Sequence, residues 1–220
     1  MLIKTLKIIA FIIGFVIIIF GFSGFFSSFA TATTNEDGMM ASSLPLNEVN
    51  GIAVDSKGQI YIGDGQSSCI QVFNNTGQFM YGFAFPTGGA GWFAFGIDDQ
   101  DLIHIVTART DSYFQYYNGE RIYSESIDYS RRKQLEKSYD MSDGNSFKSC
   151  NKEYSVSSRD QITVHDISSN ERVKIILNTP LWPLSIFTYW LFGAGGIGLW
   201  FWSFAWKWIR NNSKSFNKTK

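Results

Sequence analysis

The sequence predicts a mainly β protein, built of short antiparallel meanders and flanked by two transmembrane helices. Three features of the 220-residue chain support this. Short strand-like runs separated by turn residues fill its middle, an uncharged apolar segment lies near each end, and acidic residues occur only between those segments. Short strands with turn chemistry between them are typical of antiparallel sheets. We therefore expect an extracytoplasmic β domain over residues 46–178.

The clearest meander is residues 50–79, NGIAVDSKGQIYIGDGQSSCIQVFNNTGQF. It contains three strand-like runs, Gly51–Val54, Ile60–Ile62 and Cys69–Phe73. Lys-Gly and Asp-Gly turn sequences separate them, and an Asn-Asn-Thr-Gly turn follows the last. Two further units have the same rhythm, which gives units of about 46–85, 90–125 and 148–177. Their second strands contain Tyr61, His104 and Tyr154, at spacings of 43 and 50 residues. Strand-only repeats of about forty residues indicate propeller blades.

The sequence GIAVDSKGQIYIGD followed by CIQVFNNTGQF resembles an NHL-type repeat, a β-propeller blade. Cys69 stands where such repeats commonly have Arg. The resemblance implies a binding platform and implies no catalytic residues. Closed propellers have about 4–8 blades, so three units cannot close a ring alone. We expect a curved open sheet, a sandwich of the same strands, or half of a dimeric propeller.

The first apolar segment, Ile8–Ala30, has 23 residues without a charge. As a helix it would be about 34 Å long, enough to cross a bilayer core of about 30 Å. Residues 1–30 are therefore predicted to be a signal-anchor, followed by a linker over 31–45. The alternative is a cleaved signal peptide, because Ala30-Thr31-Ala32 has the A-x-A form. The length of the apolar segment favours retention.

The second apolar segment predicts a transmembrane helix over residues 180–208, followed by a basic cytoplasmic tail over 209–220. Trp182, Trp206 and Trp208 stand where membrane-interface aromatic residues are expected. Ala194 and Gly198 form a small-xxx-small pair, which favours packing against the first span or another copy.

The charges indicate the topology. The middle block holds 12 basic and 19 acidic residues, a net charge of −7, whereas Lys4, Lys7, Lys207 and Arg210 flank the two spans. The positive-inside rule places both termini in the cytoplasm and residues of about 31–180 outside. An acidic exported block disfavours nucleic acid as a partner. The partners expected are the lipid bilayer and another copy or a membrane-complex subunit.

Cys69 and Cys150 both lie in the block predicted to be exported, where a disulfide can persist. The alternative is two unpaired, half-buried thiols. His104 and His165 are too few for an acid–base or metal centre and are interpreted as ordinary strand residues. No catalytic residue, metal or cofactor is predicted.

An aromatic face is the predicted binding surface. Phe79, Tyr81, Phe83 and Phe85 alternate along one run, which places four rings on one sheet face, and Trp92 follows shortly after. The face could pack between sheets or bind peptide, glycan or lipid headgroups. Together these features predict a membrane-anchored, non-enzymatic binding or scaffold module. The alternatives are a propeller-type hydrolase or lyase, or an accessory subunit of a membrane complex.

Overall fold

The computed structural model describes residues 2–34, 38–88, 91–141, 144–149, 151–158, 160–180 and 188–202. The chain divides into two compact units. One is helical and combines residues Met1–Phe29 with Leu184–Lys220, and the other is the β unit Ala30–Pro183.

The helical unit contains helix α1, Leu2–Thr34, and helix α3, described over residues 188–202. Within α1, Ile8–Phe26 has a mean hydropathy of 2.8 and is long enough to cross a membrane. In the described part of the chain, this is the one helix that meets both conditions, as an anchor or a signal sequence would. The prediction of two spans is therefore supported for the first span only. In the predicted second span, residues 181–187 and 203–208 lie outside the described residues.

Helices α1 and α3 pack closely through glycine. A Cβ atom on Gly14 would lie 3.2 Å from the carbonyl oxygen of Gly196, and one on Gly21 would overlap the backbone of Gly193. Tyr189 of α3 is 2% exposed, and its ring lies 5.8 Å from that of Phe20. Small residues that allow two backbones to approach are typical of helix pairs in membranes.

The predicted packing pair lies beside this contact. Ala194 and Gly198 are exposed, and a Cβ atom on Gly198 would meet nothing within 4 Å. Consecutive residues are about 100° apart around a helix, so the pair beginning at Ala194 faces away from the side that holds Gly193 and Gly196. Ala194 and Gly198 therefore do not form the contact with α1, and their packing against another copy stays a prediction.

In the described residues, the β unit holds thirteen strands and one short helix. The strands are β1 Gly38–Met40, β2 Val49–Val54, β3 Ile60–Asp64, β4 Cys69–Phe73, β5 Phe79–Ala84, β6 Phe93–Ile97, β7 Ile103–Thr107, β8 Ser112–Tyr117, β9 Glu120–Ser126, β10 Ser146–Ser149, β11 Lys152–Ser158, β12 Gln161–Asp166 and β13 Glu171–Ile176, and helix α2 is Tyr129–Ser138. They form three antiparallel sheets. The prediction of a mainly β protein with about three antiparallel units is confirmed.

The first sheet has the order β1-β5-β4-β3-β2, the second β6-β7-β8-β9 and the third β10-β11-β12-β13. Each follows the chain as a simple meander, except that β1 joins the first sheet at its outer edge beside β5.

The turns follow local side-chain chemistry. The Oδ1 atom of Asp55 accepts hydrogen bonds from the backbone N–H groups of Lys57 and Gln59, at 3.0 and 2.8 Å. Gly58 takes a φ of +78°, which glycine adopts without strain. Asn74 holds the next turn in the same way, through the N–H groups of Thr76 and Gln78.

The first sheet lies between the other two. One of its faces presents Tyr61, Val72 and Phe83 to the second sheet. The opposite face presents Ile60, Ile62 and Phe73 to the third sheet. The stacking order is therefore second, first, third, whereas successive propeller blades would pack in chain order. Among the predicted alternatives, a sandwich of the same strands describes this stack best.

Helix α2 covers the outer face of the second sheet. Its carboxylate cap is Asp128, whose Oδ1 atom accepts the N–H of Arg131 at 2.7 Å, and its one buried residue is Leu135. Leu135 packs with Ala94, Val106 and Tyr113 of the second sheet. The segment between the second and third units thus forms a helix of 10 residues that closes one end of the stack.

The outer face of the third sheet is polar and closes the other end. The strand register places Lys148, Glu153, His165 and Arg172 in one row on that face. Burying such a row against another blade would be costly, because charges need pairing or water. This face does not suit the half-propeller arrangement, in which a second copy would pack against it.

Candidate functional site

A cleft of about 380 Å³ opens between the first and third sheets, and we call it the inter-sheet cleft. Its walls are formed by two turns of the first sheet and by the inner face of the third sheet. The lining residues are Gly58, Ile60, Asn75, Lys152, Tyr154, Val164, Asp166, Glu171, Val173 and Ile175.

The inner face of the third sheet carries three rows of side chains. The strand register aligns Lys152, Asp166 and Glu171 in the first row. Two residues further along each strand, the second row is Tyr154, Val164 and Val173. The third row is Val156, Ile162 and Ile175, of which Ile175 lines the cleft. Since alternate residues of a strand share one face, all three rows point the same way. The cleft therefore has a charged end and an apolar floor.

The charged row carries two carboxylates and one ammonium group. Hydrogen bonds from the Ser168 hydroxyl and from the N–H groups of Ser169 and Ser168 lower the pKa of Asp166, and the charge of Lys152 lowers it further. Only the Oδ1 atom of Asp166 accepts those bonds, at 2.5 to 3.2 Å. Asp166 is therefore ionised at neutral pH and fixed in position by its own turn.

The opposite wall is formed by the two turns that Asp55 and Asn74 hold in place. Gly58 and Asn75 lie at their tips, and Ile60 is buried behind them. Because internal hydrogen bonds fix both turns, this wall is formed before any ligand arrives. It offers no charged side chain to the cleft.

Hydrogen bonds join the first and third sheets beside the turn at Asn75. The N–H of Asn178, just after β13, donates to the carbonyl oxygen of Gly77 at 2.9 Å. The hydroxyl of Ser43 donates to the carbonyl oxygen of Asn178 at 3.1 Å. A Cβ atom on Gly77 would overlap the carbonyl group of Ile176, so only glycine allows this approach. These contacts hold the third sheet against the first beside the cleft.

The predicted aromatic face is largely core. Phe83 and Phe85 are 0% exposed, and the ring of Phe85 lies 4.8 Å from that of Phe93 in an edge-on arrangement. These rings pack against the second sheet. At Phe83 and Phe85 the face packs between sheets, as one of the two interpretations expected. Because the second sheet covers both rings, they are not available as a binding surface.

The remaining members of that face do not share one surface. The ladder between β4 and β5 shifts register between Val72 and Phe73, so Phe79 turns to the side of the third sheet. Tyr81 is half-buried against the second-sheet side, and its hydroxyl lies 3.2 Å from that of Tyr61. Trp92 is 37% exposed, before β6. Alternation in sequence predicted one face, and a β-bulge divided it.

His104 is buried in a polar network on the outer side of the second sheet. Its Nε2 atom lies 3.0 Å from the Oδ2 atom of Asp98, and its Nδ1 atom lies 2.7 Å from the hydroxyl of Tyr113. The ring of Tyr139 stacks on it at 3.5 Å. Burial lowers the pKa of His104, although Asp98 acts in the opposite direction. A neutral His104 that donates to Asp98 and accepts from Tyr113 satisfies both ring nitrogens, so the network holds the sheet to the segment after α2.

His165 lies on the polar outer face of the third sheet, where its Nε2 atom is 3.0 Å from the Oδ1 atom of Asn170. The two histidines therefore lie on different sheets and do not form one site. Among the described residues, no group of three or more His, Cys, Asp or Glu side chains could hold a metal ion.

Cys69 is a free thiol, fully buried in β4. Burial and, secondly, the charge of Asp64 raise its pKa well above the usual value. A buried thiol of high pKa is unreactive. Cys150, its predicted disulfide partner, lies outside the described residues.

Sequence reasoning did not identify the inter-sheet cleft. Its charged row comes from three strands whose pairing the sequence alone does not give. The available signal was the alternation in QITVHD and ERVKII, which marks an apolar face ending in a carboxylate on each strand.

Comparison with known families supports the repeat. The family model of the NHL repeat matches residues 46–73, which span β2 to β4 of the first sheet. The resemblance predicted from residues 50–79 is confirmed. No curated protein matches the chain.

Two similar solved structures are lyases of the propeller type. Selenomethionine-substituted virginiamycin B lyase from Staphylococcus aureus is 14% identical, with a TM-score of 0.34, and the match covers 66% of this chain and 47% of the lyase. A streptogramin B lyase structure is 11% identical, with a TM-score of 0.35, and the match covers 67% and 47%. The chain thus spans about half the length of the structures it matches.

The expectation of a non-enzymatic protein is contradicted by this comparison, because the similar structures are enzymes. We therefore withdraw it. At identities of 14% and 11%, the likeness transfers no reaction, substrate or catalytic residue to this chain.

Proposed function

We propose that the protein is a membrane-anchored, extracytoplasmic binding module and that the inter-sheet cleft is its ligand site. The observation that carries the proposal is the cleft itself, which combines an apolar floor with a charged end. Concave sites of several hundred cubic ångströms with apolar walls and a few polar groups are typical of small-molecule binding. The NHL-type repeat of the first sheet also supports the proposal, because the resemblance implies a binding platform.

The exposure of apolar side chains in the cleft supports this role. Val173 is 58% exposed although it lies in the same row as Val164 and Tyr154. On the other side of the first sheet, the centre of the interface with the second sheet is closed, since Phe83, Phe85 and Phe93 are all 0% exposed. A second cleft, of about 360 Å³, lies only at the edge of that interface, between β1 and the turn that joins β8 to β9. An apolar surface that stays open beside a sealed one is available for a ligand.

The proposed topology places both termini in the cytoplasm and residues of about 31–180 outside, with the bilayer as the first partner. Its support is the basic residues beside both apolar segments and the charge of −7 between them. A second copy or a membrane-complex subunit is the proposed protein partner of the helices.

Cysteine labelling in intact cells tests the topology. A Lys137→Cys variant carries a thiol on the exposed side of α2, and Lys4→Cys is the matched variant near the N-terminus. A membrane-impermeant maleimide should label the first and not the second until the cells are opened. Labelling of both variants, or of neither, in intact cells would refute the proposed topology. Both variants also carry Cys150→Ser, and Cys69 is buried, so neither natural cysteine contributes background.

Binding in the cleft is tested with 1-hexanol, a neutral apolar probe, on the full chain in nanodiscs of neutral lipid. The readout is the methyl NMR signals of Val164 and Val173, with Ile122 of β9 as the control, since it is 54% exposed and lies outside the cleft. We expect saturable shifts at the two valines only. A Val164→Trp variant should fill the cleft and abolish the shift at Val173. Shifts of equal size at Ile122 would contradict a specific site.

A further inference from the structure

We infer that the inter-sheet cleft takes an amphipathic cation, a primary ammonium group on an apolar stem. This inference rests on the proposed function and adds the chemical class of the ligand. The ammonium group would lie at Asp166 and Glu171, and the stem would lie on the row formed by Tyr154, Val164 and Val173.

The spacing of the rows sets the shape of the ligand. Residues two apart on a strand are separated by about 7 Å. The row of Tyr154, Val164 and Val173 lies at that distance from the charged row, and Ile175 lies about the same distance beyond it. The cleft is therefore charged at one end and apolar along the rest of its length. A ligand with a charged head and a stem of about 7 to 13 Å matches this order. A compact ion or a uniformly apolar molecule would use only one part of the cleft.

The sign of the charged row favours a cation. In the described residues, neither Asp166 nor Glu171 has a cationic group within ion-pair distance, and Lys152 leaves the row with a net charge of −1. On the outer face of the same sheet, by contrast, Glu153 is paired with Lys148 at 3.6 Å and with His165 at 3.8 Å. On the solvent face of the sheet the carboxylate of Glu153 has ion-pair partners, whereas in the cleft the carboxylates of Asp166 and Glu171 have none among the described residues.

The position of Asp166 is set before binding. Its Oδ1 atom accepts hydrogen bonds from Ser168 and Ser169, whereas its Oδ2 atom accepts none from the described residues. A carboxylate that is already ordered binds an ammonium group without a further cost in side-chain entropy. Hydrogen bonds between charged partners are also stronger than neutral ones.

The test compares three probes of equal length, hexylamine, 1-hexanol and hexanoate, on the full chain in neutral-lipid nanodiscs at neutral pH. Dissociation constants come from the methyl signals of Val164 and Val173. We expect hexylamine to bind about tenfold more tightly than 1-hexanol, because one additional hydrogen bond between charged groups changes the affinity by about that factor. Hexanoate should bind more weakly than either.

A double variant, Asp166→Asn with Glu171→Gln, should reduce the preference for hexylamine to about twofold or less, since a neutral row offers no ion pairing. Asn retains an oxygen that can accept the bonds from Ser168 and Ser169. The matched control is Glu153→Gln, which removes one carboxylate from the opposite face and should leave the preference unchanged. Unchanged strand methyl signals in the absence of probe verify folding in each variant.

The outcomes separate the inference from the proposed function. If 1-hexanol shifts the valine signals as strongly as hexylamine, the cleft binds ligands and the inference is overturned. The same holds if hexanoate binds best, or if Glu153→Gln abolishes the preference as effectively as the double variant. If none of the three probes shifts Val164 or Val173, the proposed binding function itself fails.

Discussion

The second and third sheets pack against opposite faces of the first sheet, but they are covered to different extents. In the second sheet, strands β6 and β7 are buried on both faces, by the first sheet and by α2. The third sheet is buried on one face only, and part of that face is the open inter-sheet cleft.

The sequences of the strands account for this difference in coverage. The second sheet has nearly continuous apolar runs, FAFGI and IHIVT, as strands covered on both sides do. The third sheet alternates in QITVHD and ERVKII, as strands with one wet face do. Units of similar length and topology therefore differ in how far they are covered. The second is packed on both sides of β6 and β7, and the third leaves part of its inner face exposed.

The largest expected effect is in the sealed interface. Phe93→Ala removes a ring that is 0% exposed and lies 4.8 Å from that of Phe85. We expect the free energy of unfolding to fall by about 3–5 kcal/mol, because a cavity replaces the ring. Val173→Ala in the open cleft should change it by less than about 0.5 kcal/mol. Urea denaturation of the full chain in detergent, followed by circular dichroism, measures both. Equal losses would remove the distinction between the two interfaces.

The contribution of α2 is tested by Leu135→Ala. Leu135 is 3% exposed and is the one buried residue of the helix, so its truncation should cost about 2–4 kcal/mol. Hydrogen-exchange mass spectrometry should show faster exchange in β6 and β7, with β12 and β13 unchanged. Lys137→Ala, on the exposed side of the same helix, is the control. Equal acceleration in the third sheet would mean that the two ends of the stack do not behave independently.

The stability of the protein should depend on pH through His104. Burial lowers the pKa of His104, so below its ordinary value of about 6.5 the unfolded chain binds a proton that the folded chain does not. Stability is then full above that pH and is lost as the pH falls below it. His104→Gln should remove this loss, whereas His165→Gln should retain it. Urea midpoints between pH 5 and pH 8 measure the effect, and identical profiles for the two variants would contradict it.

The smallest expected effect is at the helix cap. Asp128→Ala removes the acceptor for the N–H of Arg131, at 2.7 Å, and should cost about 1 kcal/mol. Asp128→Asn retains an acceptor and should restore most of that loss. Exchange rates in the first turn of α2 report the change. No difference between Ala and Asn would indicate that the hydrogen bond does not stabilise the helix.

Much of the fold was predictable from local chemistry. The runs 51–54, 60–62 and 69–73 fall within β2, β3 and β4, because Asp-Ser-Lys-Gly and Asn-Asn-Thr-Gly form turns through their own side chains. The aromatic face was harder to predict, since a register shift beside Phe73 separates Phe79 from Tyr81. The candidate cleft was not predictable, because Lys152, Asp166 and Glu171 become neighbours only through strand pairing.

By itself the sequence determined the elements of this protein. Turn residues, alternation and an uncharged apolar segment specify meanders and a long helix, since each depends on interactions within a few residues. The tertiary structure alone decided that the first sheet lies in the centre, that α2 covers the second sheet and that a cleft remains beside the third. Those outcomes depend on which apolar faces meet, and burial of apolar area is not directional, so local sequence does not specify the partner.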